Sequence, residues 1–163
     1  MSENYSVHFE GELEVRPGAR FAIVTSRFNH LVVDKLLDGA LHALKEHGVP
    51  KEDIYVARTP GAWETPLVCK RLATTGLYDA IIALGAVIKG ETAHFEAIVQ
   101  EAARGCSSVM LETGVPVVFG ILTTYNLQQS LDRTSSARGN KGHEAALCAI
   151  EMSNLMHIMS TDK

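Results

Sequence analysis

DAIIALGAVIKGETAHFEAIV, residues 79–99, decides how the rest of the chain is read. Its first six residues, DAIIAL, form a continuous apolar run of the kind that makes a strand buried on both faces. Gly85 and Gly90 then frame what reads as a turn. From Thr92 onward Phe95, Ile98, Val99, Ala102, Cys106, Val109, Met110 and Thr113 trace one helical face, and Thr92 is placed to cap that helix. A buried strand followed by a turn and an amphipathic helix is one step of an alternating β/α fold.

The turn also carries chemistry. Its spacing is nearly that of the nucleotide-hydrolase phosphate loop, G-x-x-x-x-G-K-[ST], but Glu91 stands at the lysine position and His94 follows Thr92 by two residues. In those hydrolases the lysine bridges the outer phosphates, and Glu91 would repel them. A single phosphate suits this segment better, held by free N–H groups at a helix start and by the Thr92 hydroxyl. His94 would sit beside it, able to move a proton near neutral pH. The plainer alternative is a solvated His on a helix.

The same alternation extends in both directions. RFAIVT (20–25) is a short apolar strand. HLVVDKLLDGALHALKEHG places Val33, Leu36, Leu37, Ala40, Leu41 and Leu44 at helical spacing, and Gly48 can stop that helix. DIYVART (53–59) is a second strand; TPGAWETPLVCKRLATTG is a turn and a helix, with Pro66 tolerable only in the first turn. Downstream come the strand VPVVFGIL (115–122), a short helix that Asn126 can cap, running to about Arg133, and a last helix in GNKGHEAALCAIEMSNLMHIM. Residues 7–15 alternate loosely and read as a further strand. Four strand–helix alternations call for a parallel sheet with helices on both faces, in one domain spanning 1–163: an N-terminal arm over 1–19 and a core over 20–158.

Composition narrows the class. The 163 residues are 46% hydrophobic and 21% charged, with a formal charge of −4, as in an ordinary soluble globular protein. No basic cluster points to nucleic acid. No apolar run reaches transmembrane length, and the N-terminus has no signal-peptide pattern, so a cytoplasmic protein with neither nucleic-acid nor membrane partners is expected. Cys69, Cys106 and Cys148 are odd in number and lie on helical apolar stretches, which reads as buried free thiols in a reducing compartment. The seven His show no metal-ligand spacing, and no metal site is expected.

In parallel α/β sheets ligands bind beyond the carboxyl ends of the strands, so the residues after each strand are the candidates. After the first come Phe28, flat enough to stack on a heterocycle or to pack on the next helix, and Asn29. After the second come Ala62, Trp63 and Glu64; a Glu in a first helical turn is also ordinary. After the third comes the glycine-framed segment. Phe119 lies inside the fourth strand, and Arg133 and Lys141 follow it. Either cation suits a phosphate, and either is as readily a solvated charge. The residues by themselves indicate a phosphorylated small molecule and a flat ring.

FAIVTSRFN, TPGAWETP, ALGAVIKGETAHFEAIV, GVPVVFGILTT and GNKGHEAALCAIEMSNL, taken together, resemble the lumazine synthase family over about residues 20–157. G-E-T-x-H-F and G-N-K-G-x-E-A-A carry the specificity of the match. The resemblance implies a flavodoxin-like three-layer αβα sandwich on a four-stranded parallel sheet, with the N-terminal strand added to a neighbour's sheet. It implies condensation of 5-amino-6-ribitylaminouracil with 3,4-dihydroxy-2-butanone 4-phosphate, without metal or organic cofactor. The product is 6,7-dimethyl-8-ribityllumazine, the precursor of riboflavin, formed with loss of phosphate and water. Phe28 would stack on the pyrimidine, with Asn29 beside it. Ala62, Trp63 and Glu64 would hold the ribityl chain, and Ala86, Val87 and Ile88 would line the ring pocket. Glu91 and Thr92 would contact the phosphate, and His94 would be the acid–base group. Phe119, Arg133 and Lys141 would come from an adjacent subunit, Arg133 binding the phosphate. A homopentamer is then the smallest working unit, a sixty-subunit icosahedral shell a higher assembly, and riboflavin synthase a further partner.

The chain departs from the family pattern in three places. Trp63 stands where Phe is common and Asp132 where Glu often precedes the Arg. TSSAR (134–138) replaces the frequent A-G-T-K-A. The loop keeps its length, which favours a shell, while its changed residues weigh against one.

Overall fold

The computed structural model describes residues 6–136 and 139–161, so the last two positions of the 134–138 loop lie outside the described residues. Four strands form one sheet: β1 (Phe21–Ser26), β2 (Ile54–Thr59), β3 (Ala80–Ile88) and β4 (Val117–Thr124). They lie in the order β2-β1-β3-β4, every pair parallel. Parallel neighbours need crossovers, and the helices supply them. The crossovers are α1 (His30–Glu46), α2 (Thr65–Ala73) and α3 (His94–Thr113), and α4 (Leu127–Asp132) and α5 (Lys141–Thr161) follow the last strand. The expected flavodoxin-like αβα sandwich is therefore what forms.

The two faces of the sheet separate cleanly, because successive strand residues point to opposite sides. Phe21 and Ile23 of β1 and Ile82 and Leu84 of β3 pack against α1 and α5. Ala22 and Val24 of β1 and Ile81 and Ala83 of β3 pack against α2 and α3. Both faces are covered, so β1 is buried throughout.

The helix boundaries have local causes. Gly48, at φ 83°, ends α1 as expected, its N–H reaching the Lys45 carbonyl at 3.0 Å. Pro66 sits in the first turn of α2, where its missing N–H costs nothing. Asn126 accepts the Gln129 N–H at 2.9 Å and starts α4.

Four expectations are corrected. Gly85 is not a turn residue: β3 continues to Ile88, Gly85 pairing with Ile121 and Ile88 with Thr124. The extra length is set by β4, which runs on beside it. A Cβ on Gly85 would lie 3.0 Å from Ser26 Oγ, so the glycine serves close strand packing. Thr92 does not cap α3; the helix starts at His94 after Ala93, with no side-chain cap. Cys148 is exposed, unlike buried Cys69 and Cys106. Residues 7–15 make no strand within this chain. Asn154 Nδ2 donates to the carbonyls of Glu12 (2.7 Å) and Glu14 (2.8 Å), laying the segment along α5 instead. A strand needs a ladder partner, and α5 offers a side-chain amide.

Candidate active site

The strand order reverses between β1 and β3, one chain path leaving toward β2 and the other toward β4. That divergence opens a crevice at the carboxyl ends. The pairing of β1 with β3 stops at Thr25↔Leu84, so residues 85–88 of β3 project past β1 with one edge unpaired. Asn29 closes part of that edge, its Nδ2 donating to the Ala86 carbonyl at 2.7 Å. To do so it adopts a left-handed conformation, φ 61° and ψ 41°, the only positive φ of a non-glycine among the described residues. Asn tolerates that region better than other side-chain-bearing residues.

The resulting cavity holds about 730 Å³, within the range of small-molecule sites. Phe28 and Asn29 line it from the end of β1, and Ala62, Trp63 and Glu64 from the 3-10 turn after β2. Ala86, Val87 and Ile88 form the projecting strand wall, and Thr92 and His94 stand at the start of α3. Phe28 is 72% and Trp63 54% exposed, so both rings face open space rather than the helices behind them. Glu64 is oriented by its own loop: Oε2 accepts the Gly61 N–H at 3.0 Å, while Oε1 meets no partner among the described residues. That leaves one carboxylate oxygen for hydroxyl donors.

Gly85–Ile88 is extended strand and wraps around nothing, in keeping with the rejection of a nucleotide-hydrolase phosphate loop from Glu91. The helix start keeps its anion-binding character. No side chain caps α3 from Ala93, so the N–H groups of His94 and Phe95 and the Thr92 hydroxyl are free beside the imidazole, while the Glu96 N–H is taken by its own carboxyl. The His94 ring is exposed and makes no hydrogen bond within the described residues.

Lys89 steadies this segment. Its N–H reaches the Thr124 carbonyl at 2.9 Å, its ammonium lies 3.4 Å from Glu96 and 5.6 Å from the centre of the Tyr125 ring. The Glu96 carboxyl is held below its usual range by its own backbone N–H at the helix start and by Lys89.

Pro60, Gly61, Gly90, Phe95, Ala97 and Ile98 also line the cavity; from sequence, Gly61 and Gly90 read as turn residues, Phe95 and Ile98 as a helix face, and none of the six as a site residue. The signal was partly there: Ala97 and Ile98 follow His94 by three and four positions, on the same helix face. The first turns of α3 overhang the end of the sheet, so a face that packs on core further along lines the crevice here.

Four named residues do not line this cavity. Glu91 lies at its rim, outside the lining. Phe119 is on β4, 40% exposed. Arg133 follows α4 with its guanidinium exposed, and Lys141 opens α5 paired with Glu144. Within one chain, the pocket has an imidazole and a helix start with free N–H groups, but no Lys or Arg lines it among the described residues.

Fold and crevice define an α/β protein of the class that carries its ligand site at the carboxyl ends of a parallel sheet. The chain matches the family model of 6,7-dimethyl-8-ribityllumazine synthase over residues 18–157. It is 51% identical over 147 residues to the 6,7-dimethyl-8-ribityllumazine synthase of Desulfotalea psychrophila (strain LSv54 / DSM 12343), covering 90% of this chain and 94% of that protein. The chain belongs to the 6,7-dimethyl-8-ribityllumazine synthase family.

Proposed function

We propose that the crevice between the ends of β1 and β3 is the active site in which this chain makes 6,7-dimethyl-8-ribityllumazine. The protein is an enzyme of riboflavin biosynthesis, and it condenses 5-amino-6-ribitylaminouracil with 3,4-dihydroxy-2-butanone 4-phosphate, releasing phosphate and water. The observation that carries the site assignment is the cavity itself. Two exposed aromatic rings and an oriented carboxylate share it with an uncapped helix start bearing His94.

The residues take roles their positions support. Phe28 stacks on the pyrimidine, with Asn29 and the 86–88 wall holding the ring edge, and Ala62, Trp63 and Glu64 take the ribityl chain. Glu91, through its backbone, and Thr92 meet the phosphate at the helix start. His94, within the same turn, moves protons as the imine between the two substrates forms and phosphate leaves. Bond making takes place between the substrates, so the protein contributes chiefly orientation and charge.

The missing cation argues for shared sites. Arg133, Lys141 and Phe119 lie outside their own chain's cavity, and in the proposed homopentamer they complete the cavity of the next subunit. In that assembly the start of the N-terminal arm, where Val7 is 74% exposed, adds to a neighbour's sheet, while residues 12–14 stay tied to α5. A sixty-subunit shell enclosing riboflavin synthase, in the cytoplasm, is the larger assembly consistent with the unlengthened 134–138 loop.

A turnover assay tests the reading: both substrates are mixed with protein while lumazine absorbance and released phosphate are followed. Matched appearance above background, cut by about 10²-fold or more in a folded His94→Ala variant, is expected for loss of a general acid–base. A rate equal to background would leave the crevice a binding site without catalysis. A normal rate in the variant would remove His94 from the chemistry.

A further inference from the structure

We infer that Asn140 is a positioning residue that sets the Arg133 guanidinium and the Lys141 ammonium for the phosphate substrate; this rests on the roles proposed above for those two cations. Neither cation is buried; Glu144, one turn along α5, pairs with the Lys141 ammonium, and the Arg133 side chain makes no hydrogen bond among the described residues. Their placement comes from the backbone, and the backbone is tied at Asn140.

Every polar position of the Asn140 amide is used. Its Oδ1 accepts the N–H groups of Gly142 (2.8 Å) and His143 (3.2 Å), capping α5. Its Nδ2 donates to the carbonyls of Lys35 (2.9 Å) and Thr134 (3.1 Å). Three separate pieces of chain therefore meet on one side chain: the middle of α1, the turn just after Arg133, and the start of α5. Beside the amide, the Lys141 N–H donates to the Arg133 carbonyl at 2.8 Å, joining the two cationic residues directly.

The seat for this amide is built into α1. A Cβ on Gly39 would collide with the Asn140 side-chain amide, so the absence of a side chain there opens the Lys35 carbonyl to a second donor. Gly142 has the matching role on α5, where a Cβ would run into the Leu36 backbone. Only an amide of this length offers two donors and two acceptor sites in this space: Asp keeps the cap and loses both donors, and Ala loses everything. Aligned cations favour a phosphate ester through geometry, so a small displacement should act on that substrate alone.

Steady-state kinetics on the full-length assembled protein test this with Asn140→Ala, Gly39→Ala, their double variant and Arg133→Ala. Gly39→Ala is the control against misfolding, because it favours the α1 helix itself while evicting the amide. The expected result is a rise of about tenfold in KM for the butanone phosphate in either single variant. KM for the pyrimidine, the circular dichroism and the assembly size should stay unchanged, and the double variant should be no worse than Asn140→Ala. The inference is overturned if Arg133→Ala raises that KM while the folded Gly39 and Asn140 variants do not. It is overturned equally if they lower kcat for both substrates in proportion to lost stability. If Arg133→Ala leaves the KM unchanged, the cation roles themselves fail, and the inference falls with them.

Discussion

Asn29 shows how one residue can be both scaffold and site. Its left-handed backbone lets the amide reach the Ala86 carbonyl while Oδ1 meets no partner among the described residues. Asn29→Ala loses that hydrogen bond and strains a β-carbon at positive φ, a combined cost of about 2 kcal/mol. Asn29→Gly loses only the bond, so urea denaturation should rank it between Ala and the wild type. Equal stability of the two variants would mean the φ value has no energetic consequence. At this scale several cavity-lining residues were legible and their geometry was not. Phe28, Trp63, Glu64, Thr92 and His94 were identifiable from their places after strands. That Thr92 leaves its hydroxyl uncommitted, and that Glu64 spends one oxygen on Gly61, depends on torsions that no spacing encodes.

At the scale of elements, the buried strands and the amphipathic helices followed from periodicity, because each pattern has one face that must leave water. The end of β3 did not. Glycine followed by apolar residues reads as a turn, yet the strand continues because β4 runs alongside and supplies its ladder. The N-terminal alternation forms no strand for the converse reason: within this chain it has no ladder partner among the described residues and lies along α5. The contact between α2 and α3 is more rigid than its sequence suggests. A Cβ on Gly105 would come 2.7 Å from Pro66, so Gly105→Ala should cost on the order of 1–3 kcal/mol in chemical denaturation. In the same contact the Cys69 thiol is pushed far above its usual range, first by its hydrogen bond with Cys106 and then by burial. Both thiols are buried and should resist a thiol reagent in the native protein at neutral pH, becoming reactive only in denaturant. Fast native modification of Cys69 or Cys106, read by peptide mapping, would contradict that packing.

For the whole molecule, the decisive fact is that the cavity and the cations lie apart on one chain. If neighbours exchange them, a mixed assembly of His94→Ala and Arg133→Ala subunits contains some sites with both residues intact. Co-expressed variants should then recover activity that neither has alone, with sedimentation at a pentamer or a multiple of it. No recovery in verified mixed assemblies would confine each site to a single chain. Phe119, Tyr125 and Leu127 at the β4 end of the sheet, and Tyr55 and Val56 at its β2 edge, are exposed apolar surface that the proposed pentamer would cover. Sequence by itself determined the alternating α/β order, the two-sided burial of the sheet and the residue types at each strand end, since these follow from local periodicity and turn chemistry. Only the tertiary structure decided which strand ends meet, how far β3 projects beyond β1, and that Asn140 gathers three distant segments. Those depend on strand order and on contacts between residues far apart in the chain, such as the 105 positions between Lys35 and Asn140.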